Sequence, residues 1–329
     1  MDHVVMTSAA FPAEGTVTVL FSDPDAEKHL ATIRKRFPNV RFLGAENAAS
    51  LNSYAAEADV LFAPNFPVEI FDKARRLRWF QCSSAGVDSL LPIRDRIGDL
   101  IVTNARGMHA EIIADFVMAG VTMLHWDFPR FMREQSRKEW CPRGVAPLAE
   151  RTLGVIGLGS IGTAIARRGK GIGMRVIGSK RDVTEVVRGV DKLFPPNGLA
   201  ELLEASDFLV LAVPHVPETA GLIGREQLRL MRRSSFLVNI ARGAVVVERE
   251  LIDALRAGTI AGALLDVFER EPLAPASPLW ALPNVMMTPH VAGNLTDYTV
   301  RSLEIFSDNL ERFLEKKPMR NLVDLKRGY

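Results

Sequence analysis

Cysteine is scarce in this chain, net charge is nearly absent, and no long apolar run escapes interruption. Only Cys82 and Cys141 occur among 329 residues, too few for a disulfide framework or a thiolate zinc site. No metal centre is expected, and a reducing cytoplasm is the expected compartment. Lysine and arginine total 41 against 39 acidic residues, a formal charge of +2, so no global field favours nucleic acid or an anionic membrane. Any anion it binds must be read by local groups. The longest uncharged stretch, 272–296, contains Pro272, Pro275, Pro278, Pro283 and Pro289, which a membrane-spanning helix would not tolerate well. The opening residues include Asp2 and Glu14 and have neither a basic start nor an apolar core, so they do not read as a secretory signal. Low-complexity tracts and short-period repeats are also missing.

What is there suffices for a sizeable core. At roughly 150 residues per domain the length implies about two domains, and 47% hydrophobic with 24% charged residues is the balance of an ordinary globular protein. Short apolar runs alternate with helical patterns, the signature of α/β layers on largely parallel sheets. Strands are expected at 16–21, 40–43, 60–63, 79–82 and 100–104, with a helix at 26–36. Residues 110–126 read as one helix too apolar to lie on a surface, followed by a polar segment through Arg143 with Pro129 and Pro142, where a domain crossing is expected. A second run follows, with strands at 153–157, 175–179, 208–213, 236–240, 260–266 and 285–288 and helices at 199–205, 225–231 and 248–257. The final segment, 298–317, spaces Val300, Leu303, Phe306, Leu310, Phe313 and Leu314 as one helical face that needs a partner surface.

In the second run a buried-type strand leads into Gly157-Leu158-Gly159-Ser160-Ile161-Gly162 and then a helical segment from Thr163 to Lys170. These glycines permit a tight turn, close backbone approach to a pyrophosphate and packing of helix on strand. The context favours a dinucleotide site over a mere glycine-rich turn. An NAD-binding chain places an acid near the end of the next strand, for the ribose hydroxyls. Here Ser179, Lys180 and Arg181 stand instead, a hydroxyl and two cations suited to a 2′-phosphate. NADP(H) is therefore the expected cofactor, with NAD(H) as the alternative if Lys180 and Arg181 form a solvated loop and Asp182 takes the ribose. Arg242, Glu271 and His290 fall at or near later strand ends, where ligands of open α/β sheets collect. Taken singly, each has an ordinary reading as an ion-pair member or a satisfied polar residue, and Glu269 competes with Glu271.

The ordered set changes those odds. Gly-Leu-Gly-Ser-Ile-Gly, Val-Pro-His-Val-Pro-Glu-Thr at 213–219, Asn-Ile-Ala-Arg-Gly at 239–243, Asp-Val-Phe-Glu-Arg-Glu-Pro at 266–272 and Thr-Pro-His at 288–290 follow one another as in the D-isomer-specific 2-hydroxyacid dehydrogenase family, which the chain resembles from about Leu77 onward. It is similar to the glyoxylate and hydroxypyruvate reductase branch in its cationic residues at 179–181. The resemblance implies two doubly wound Rossmann-like domains: a substrate domain from 1–105 and 292–329, and an inserted dinucleotide domain over 106–291. It implies hydride transfer between NADP(H) and a small 2-keto or D-2-hydroxy acid, working towards reduction of the keto acid. Arg242 would hold the substrate carboxylate and keto oxygen, His290 would act as acid and base, and Glu271 would support the imidazole.

Softer assignments follow from the same resemblance. Val213, Pro214, Thr219, Ile240 and Ala241 would line the cofactor and Asp266 would anchor its carboxamide, although a cap is the alternative for Asp266. His215 has no assigned role and is expected to face solvent. Ser84, Ala85 and Gly86 resemble the loop whose amides bind the substrate carboxylate, against a simple strand-to-helix turn, and Met108 would give the pocket an apolar wall. Asp115, where relatives carry glutamate, would alter an interdomain hydrogen bond. A homodimer is expected through the 110–126 helix, and neither nucleic acid nor a membrane is an expected partner. The alternatives are an NAD-dependent relative acting on phosphoglycerate or a larger hydroxy acid, and a nucleotide-sensing, corepressor-like binding protein.

Overall fold

The computed structural model describes residues 16–325, so expectations for the opening residues and for the last four lie outside the described residues. The chain divides into two compact units, one running to Met108 and resuming at Thr296, the other spanning His109–Leu295. In the first, β1 (Thr18–Ser22), α1 (Ala26–Arg36), β2 (Arg41–Ala45), α2 (Ala48–Tyr54), β3 (Val60–Ala63), β4 (Trp79–Cys82) and β5 (Ile101–Thr103) follow in order. The strands form a parallel sheet in the order β2-β1-β3-β4-β5. Every residue of β3 and β4 is buried, as expected of parallel strands covered on both faces. Side-chain alternation sends Leu20, Leu61 and Phe80 to one face and Val19, Phe21, Phe62 and Trp79 to the other. The second face receives the C-terminal helix, Tyr298–Leu314, whose Phe306 stacks on Trp79 with ring centroids 5.2 Å apart. The unpartnered face read in the sequence thus finds its surface in the first unit.

The second unit opens with α3 (Ala110–Trp126) and α4 (Phe128–Ser136). There follow β6 (Thr152–Ile156), α5 (Ser160–Gly171), β7 (Arg175–Ser179), β8 (Lys192–Phe194), α6 (Leu199–Ala205), β9 (Phe208–Leu211), α7 (Arg225–Leu230), β10 (Phe236–Asn239), α8 (Glu248–Arg256), β11 (Gly262–Leu265) and β12 (Val285–Met287). The parallel sheet runs β12-β11-β10-β9-β6-β7-β8, so the strand order reverses at β6, and the crevice beyond its carboxyl end is where such sheets bind ligands. Both sheets are doubly wound, as expected.

Two expectations need correction. Residues 110–126 do form one helix, but it is not buried all round: Ile113, Ala114, Val117, Val121 and Leu124 enter the core while Ile112, Phe116 and Met118 are only partly buried and Trp126 is exposed. The polar segment after it holds a helix of its own, because Asp127, with a left-handed φ of 54° that ends α3, accepts a hydrogen bond from the Arg130 N–H and so caps α4. Asp115 pairs with Arg168 of α5 at 2.8 Å, inside the second unit. Among the described residues no helix is long and apolar enough to cross a membrane.

Candidate active site

The glycine loop shows three separate steric demands. Gly157 has a left-handed φ of 95°, and a Cβ there would lie 2.6 Å from the Ala212 carbonyl oxygen. At Gly162 a Cβ would fall 1.9 Å from the carbonyl oxygen of Gly157, so the helix can approach the strand only without a side chain. Gly159 is different, because nothing lies within 4 Å of a Cβ built there. That position opens on empty space beside the start of α5, whose N-cap is Gly159 and whose first turn has no side-chain cap. Backbone N–H groups with no intrahelical acceptor, and the positive end of the helix dipole, therefore face the space left by Gly159, which fits a pyrophosphate.

At the carboxyl end of β7, Ser179 is buried and its carbonyl accepts the Gly157 N–H at 3.2 Å. Lys180 follows, tied to the sheet edge by its N–H to Phe194 and paired through Nζ with the Glu185 carboxylate. Asp182 accepts from the N–H and hydroxyl of Thr184, bonds that lower its pKa below the ordinary 3.8. Val213 lies beside Gly157. Thr219 turns its hydroxyl inward, donating to the Pro214 carbonyl at 2.6 Å and accepting from the Val216 N–H at 3.0 Å, which fixes the 213–219 turn. His215 is partly exposed.

Arg242, Glu271 and His290 all belong to the second unit, on loops that follow β10, β11 and β12. Asn239, the last residue of β10, braces the first loop: its Oδ1 accepts from the Ala241 N–H at 3.0 Å and its Nδ2 donates to the Arg242 carbonyl at 3.1 Å. Ile240 and Ala241 are buried beneath this turn, and Arg242 is partly exposed. A Cβ at Gly243 would lie 1.8 Å from the Phe268 carbonyl carbon, so the loop carrying Arg242 touches the segment leading to Glu271. Glu271 accepts from the Phe268 N–H at 3.0 Å through one oxygen and contacts His290 Nδ1 at 2.7 Å through the other. A carboxylate only accepts, so Nδ1 carries the proton and Nε2 remains for acid–base work. Glu271, not Glu269, is the acid that meets the imidazole.

The loop bearing His290 is built around Asp266. Its buried carboxylate accepts from the Thr288 hydroxyl at 2.6 Å and from the N–H groups of Val291 at 2.9 Å and Ala292 at 3.0 Å. Its carbonyl accepts the His290 N–H at 2.9 Å. His290 is held at a left-handed φ of 54°, an unusual state that recurs at functional sites. The contacts of Asp266 are those of a cap, and Asn239 and Thr288 act as braces to which the sequence motifs assigned no role.

Ser84, Ala85, Gly86 and Met108 lie in the first unit. The Ser84 hydroxyl donates to the Gly86 carbonyl at 3.0 Å, the Ala85 carbonyl accepts from Asn104 Nδ2 at 2.8 Å, and the Ser84 carbonyl accepts the Ala105 N–H at 2.9 Å. None of these bonds uses the amide N–H of Ala85 or Gly86. Met108 is partly buried.

Residues 118–292 match the family model described as D-isomer specific 2-hydroxyacid dehydrogenase, NAD binding domain, more than half of the chain. A glyoxylate reductase of Korarchaeum cryptofilum is 39% identical over 265 residues, 78% of this chain and 79% of the relative. The chain belongs to the D-isomer specific 2-hydroxyacid dehydrogenases. Among solved members of that family, one from Xanthobacter autotrophicus in complex with NADPH and MES superposes with a TM-score of 0.86 at 32% identity, covering 96% of this chain and 100% of the other. An NADPH-dependent glyoxylate/hydroxypyruvate reductase from Sinorhizobium meliloti, in complex with NADP and sulfate, gives 0.85 at 27% identity, covering 95% and 100%. Like other 2-hydroxyacid dehydrogenases, this one is an NAD(P)-dependent oxidoreductase that transfers a hydride between a nicotinamide cofactor and a 2-hydroxy or 2-keto acid.

Proposed function

We propose that the protein reduces small 2-keto acids of the glyoxylate and hydroxypyruvate type and prefers NADPH to NADH. The observation that carries the reading is the 2.7 Å pair between His290 Nδ1 and the Glu271 carboxylate, mounted on loops that follow β11 and β12. The nicotinamide, when bound, supplies the hydride. His290 donates the accompanying proton from Nε2 to the keto oxygen, a step whose positioned acid contributes typically ~10²–10⁴-fold. Glu271 fixes the ring orientation through its contact with Nδ1. Arg242 holds the substrate carboxylate and keto oxygen as a planar fork, which a lysine ammonium cannot reproduce.

Cofactor placement follows the same logic. The amides at 158–162 and the start of α5 take the pyrophosphate, Val213, Pro214, Ile240 and Ala241 line the rest of the cofactor, and Lys180 and Arg181 meet the 2′-phosphate beside Ser179. Thr219 and Asp266 shape those surroundings more than they touch the ligand. Ser84, Ala85, Gly86 and Met108 are assigned to the substrate carboxylate and side chain on the family resemblance. The partly exposed apolar face of α3 supports a homodimer, which sedimentation would check. Relatives that are glyoxylate reductases support the small substrate. Initial rates with glyoxylate, hydroxypyruvate, pyruvate and phenylpyruvate test the assignment, with turnover expected on the two small polar acids. Silence on all four with cofactor binding intact would refute it.

A further inference from the structure

The cation assigned to the 2′-phosphate is not idle in this structure. Lys180 Nζ is held by the carboxylate of Glu185, five residues on, with the lysine side chain 27% and the glutamate 59% exposed. The turn between them sets that reach. Asp182 Oδ1 accepts from the Thr184 N–H at 2.9 Å and from its hydroxyl at 2.6 Å, a local turn that brings the chain back on itself. The Lys180 N–H, bonded to the Phe194 carbonyl at 3.2 Å, anchors the other end at the sheet edge. The Lys180 backbone is therefore fixed at the sheet edge, and a hydrogen-bonded turn at 182–184 lies between it and Glu185.

We propose that Glu185 is a cofactor-selectivity residue that competes with the 2′-phosphate for Lys180. This rests on the NADP reading above. The ligand class is a dinucleotide carrying a phosphate monoester on its ribose. Such a group carries about −1.5 to −2 charges near neutral pH, so it exceeds a single carboxylate and displaces Glu185. A ribose hydroxyl carries no charge and leaves the pair in place. Released, Glu185 returns to water at small cost because more than half of its side chain is already exposed. The exchange is one ion pair for another, without covalent change, and its effect is to lower affinity for the phosphorylated cofactor alone.

The test is a binding cycle read from cofactor fluorescence, with NADPH and NADH, on the full chain and on Lys180→Ala, Glu185→Gln and the double variant. Glu185→Gln is expected to tighten NADPH about two- to fivefold, the range of an exposed ion pair, with NADH and the melting temperature unchanged. In the Lys180→Ala background that gain is expected to vanish. An equal gain in both backgrounds would mean simple through-space repulsion, and weaker NADH binding by Glu185→Gln would make the residue a ribose ligand. Either result overturns the proposal while leaving the NADP reading intact. NADPH binding untouched by Lys180→Ala overturns both.

Discussion

His290 has one nitrogen committed to Glu271 and the other available, and its backbone is held in a left-handed state by the bond from its N–H to Asp266. Replacing it tests chemistry more than folding, because the side chain is exposed. His290→Asn is expected to lower kcat by about 10²–10⁴-fold with little change in cofactor affinity, and a variant that kept wild-type turnover would dismiss the acid. Arg242→Lys keeps the charge but loses the fork. A fall in kcat/KM of about 10–100-fold is expected, the scale of one charge-assisted hydrogen bond. At this scale the sequence was partly legible. The motif order separated Glu271 from Glu269, and the structure adds that the Glu269 N–H is turned to Glu248. Nothing in the spacing said that Asp266 would direct three bonds into the His290 loop, because that depends on how β11 and β12 lie side by side.

Elements, not single residues, decide the glycine loop, and two neighbouring substitutions separate its roles. Gly162→Ala drives a Cβ into backbone that cannot move away, so unfolding free energy is expected to fall by about 1–3 kcal/mol. Gly159→Ala meets open space, so its melting curve should match wild type while NADPH binding weakens. Equal effects on both properties in both variants would refute the division. Asp266→Asn is expected to destabilise the second unit by about 1–3 kcal/mol, since one amide cannot accept all the bonds the carboxylate accepts; denaturant titration reads it. Strands with continuous apolar runs, such as β3, were plain in the sequence. The three-residue edge strand β8 and the short α4 were not: β8 has too few residues to show a period, and the Asp127 cap lay inside a segment whose polarity masked it.

At the scale of the molecule, pH acts through a buried histidine that follows Met108 and packs beside Gly293 in the loop after His290. Burial pushes the His109 imidazole below its ordinary pKa of 6.5, so the unfolded chain takes up a proton where the folded chain does not. Stability is therefore full above 6.5 and declines as pH falls through that value towards the lower folded pKa. Denaturant midpoints measured above and below that range should differ, and less so in His109→Asn; equal slopes would show that another group titrates. The alternation of apolar runs with helical patterns made two parallel-sheet α/β layers legible in the sequence. Which apolar side chains of α3 would remain partly uncovered was not legible, since Ile112, Phe116 and Met118 differ little in type from the buried Ile113, Val117 and Val121. The central claim is tested most directly by glyoxylate reduction with NADPH and with NADH at equal concentration, followed by nicotinamide absorbance. Faster turnover with NADPH, abolished by His290→Asn, is the expected result. A preference for NADH, or turnover indifferent to His290, would contradict the account.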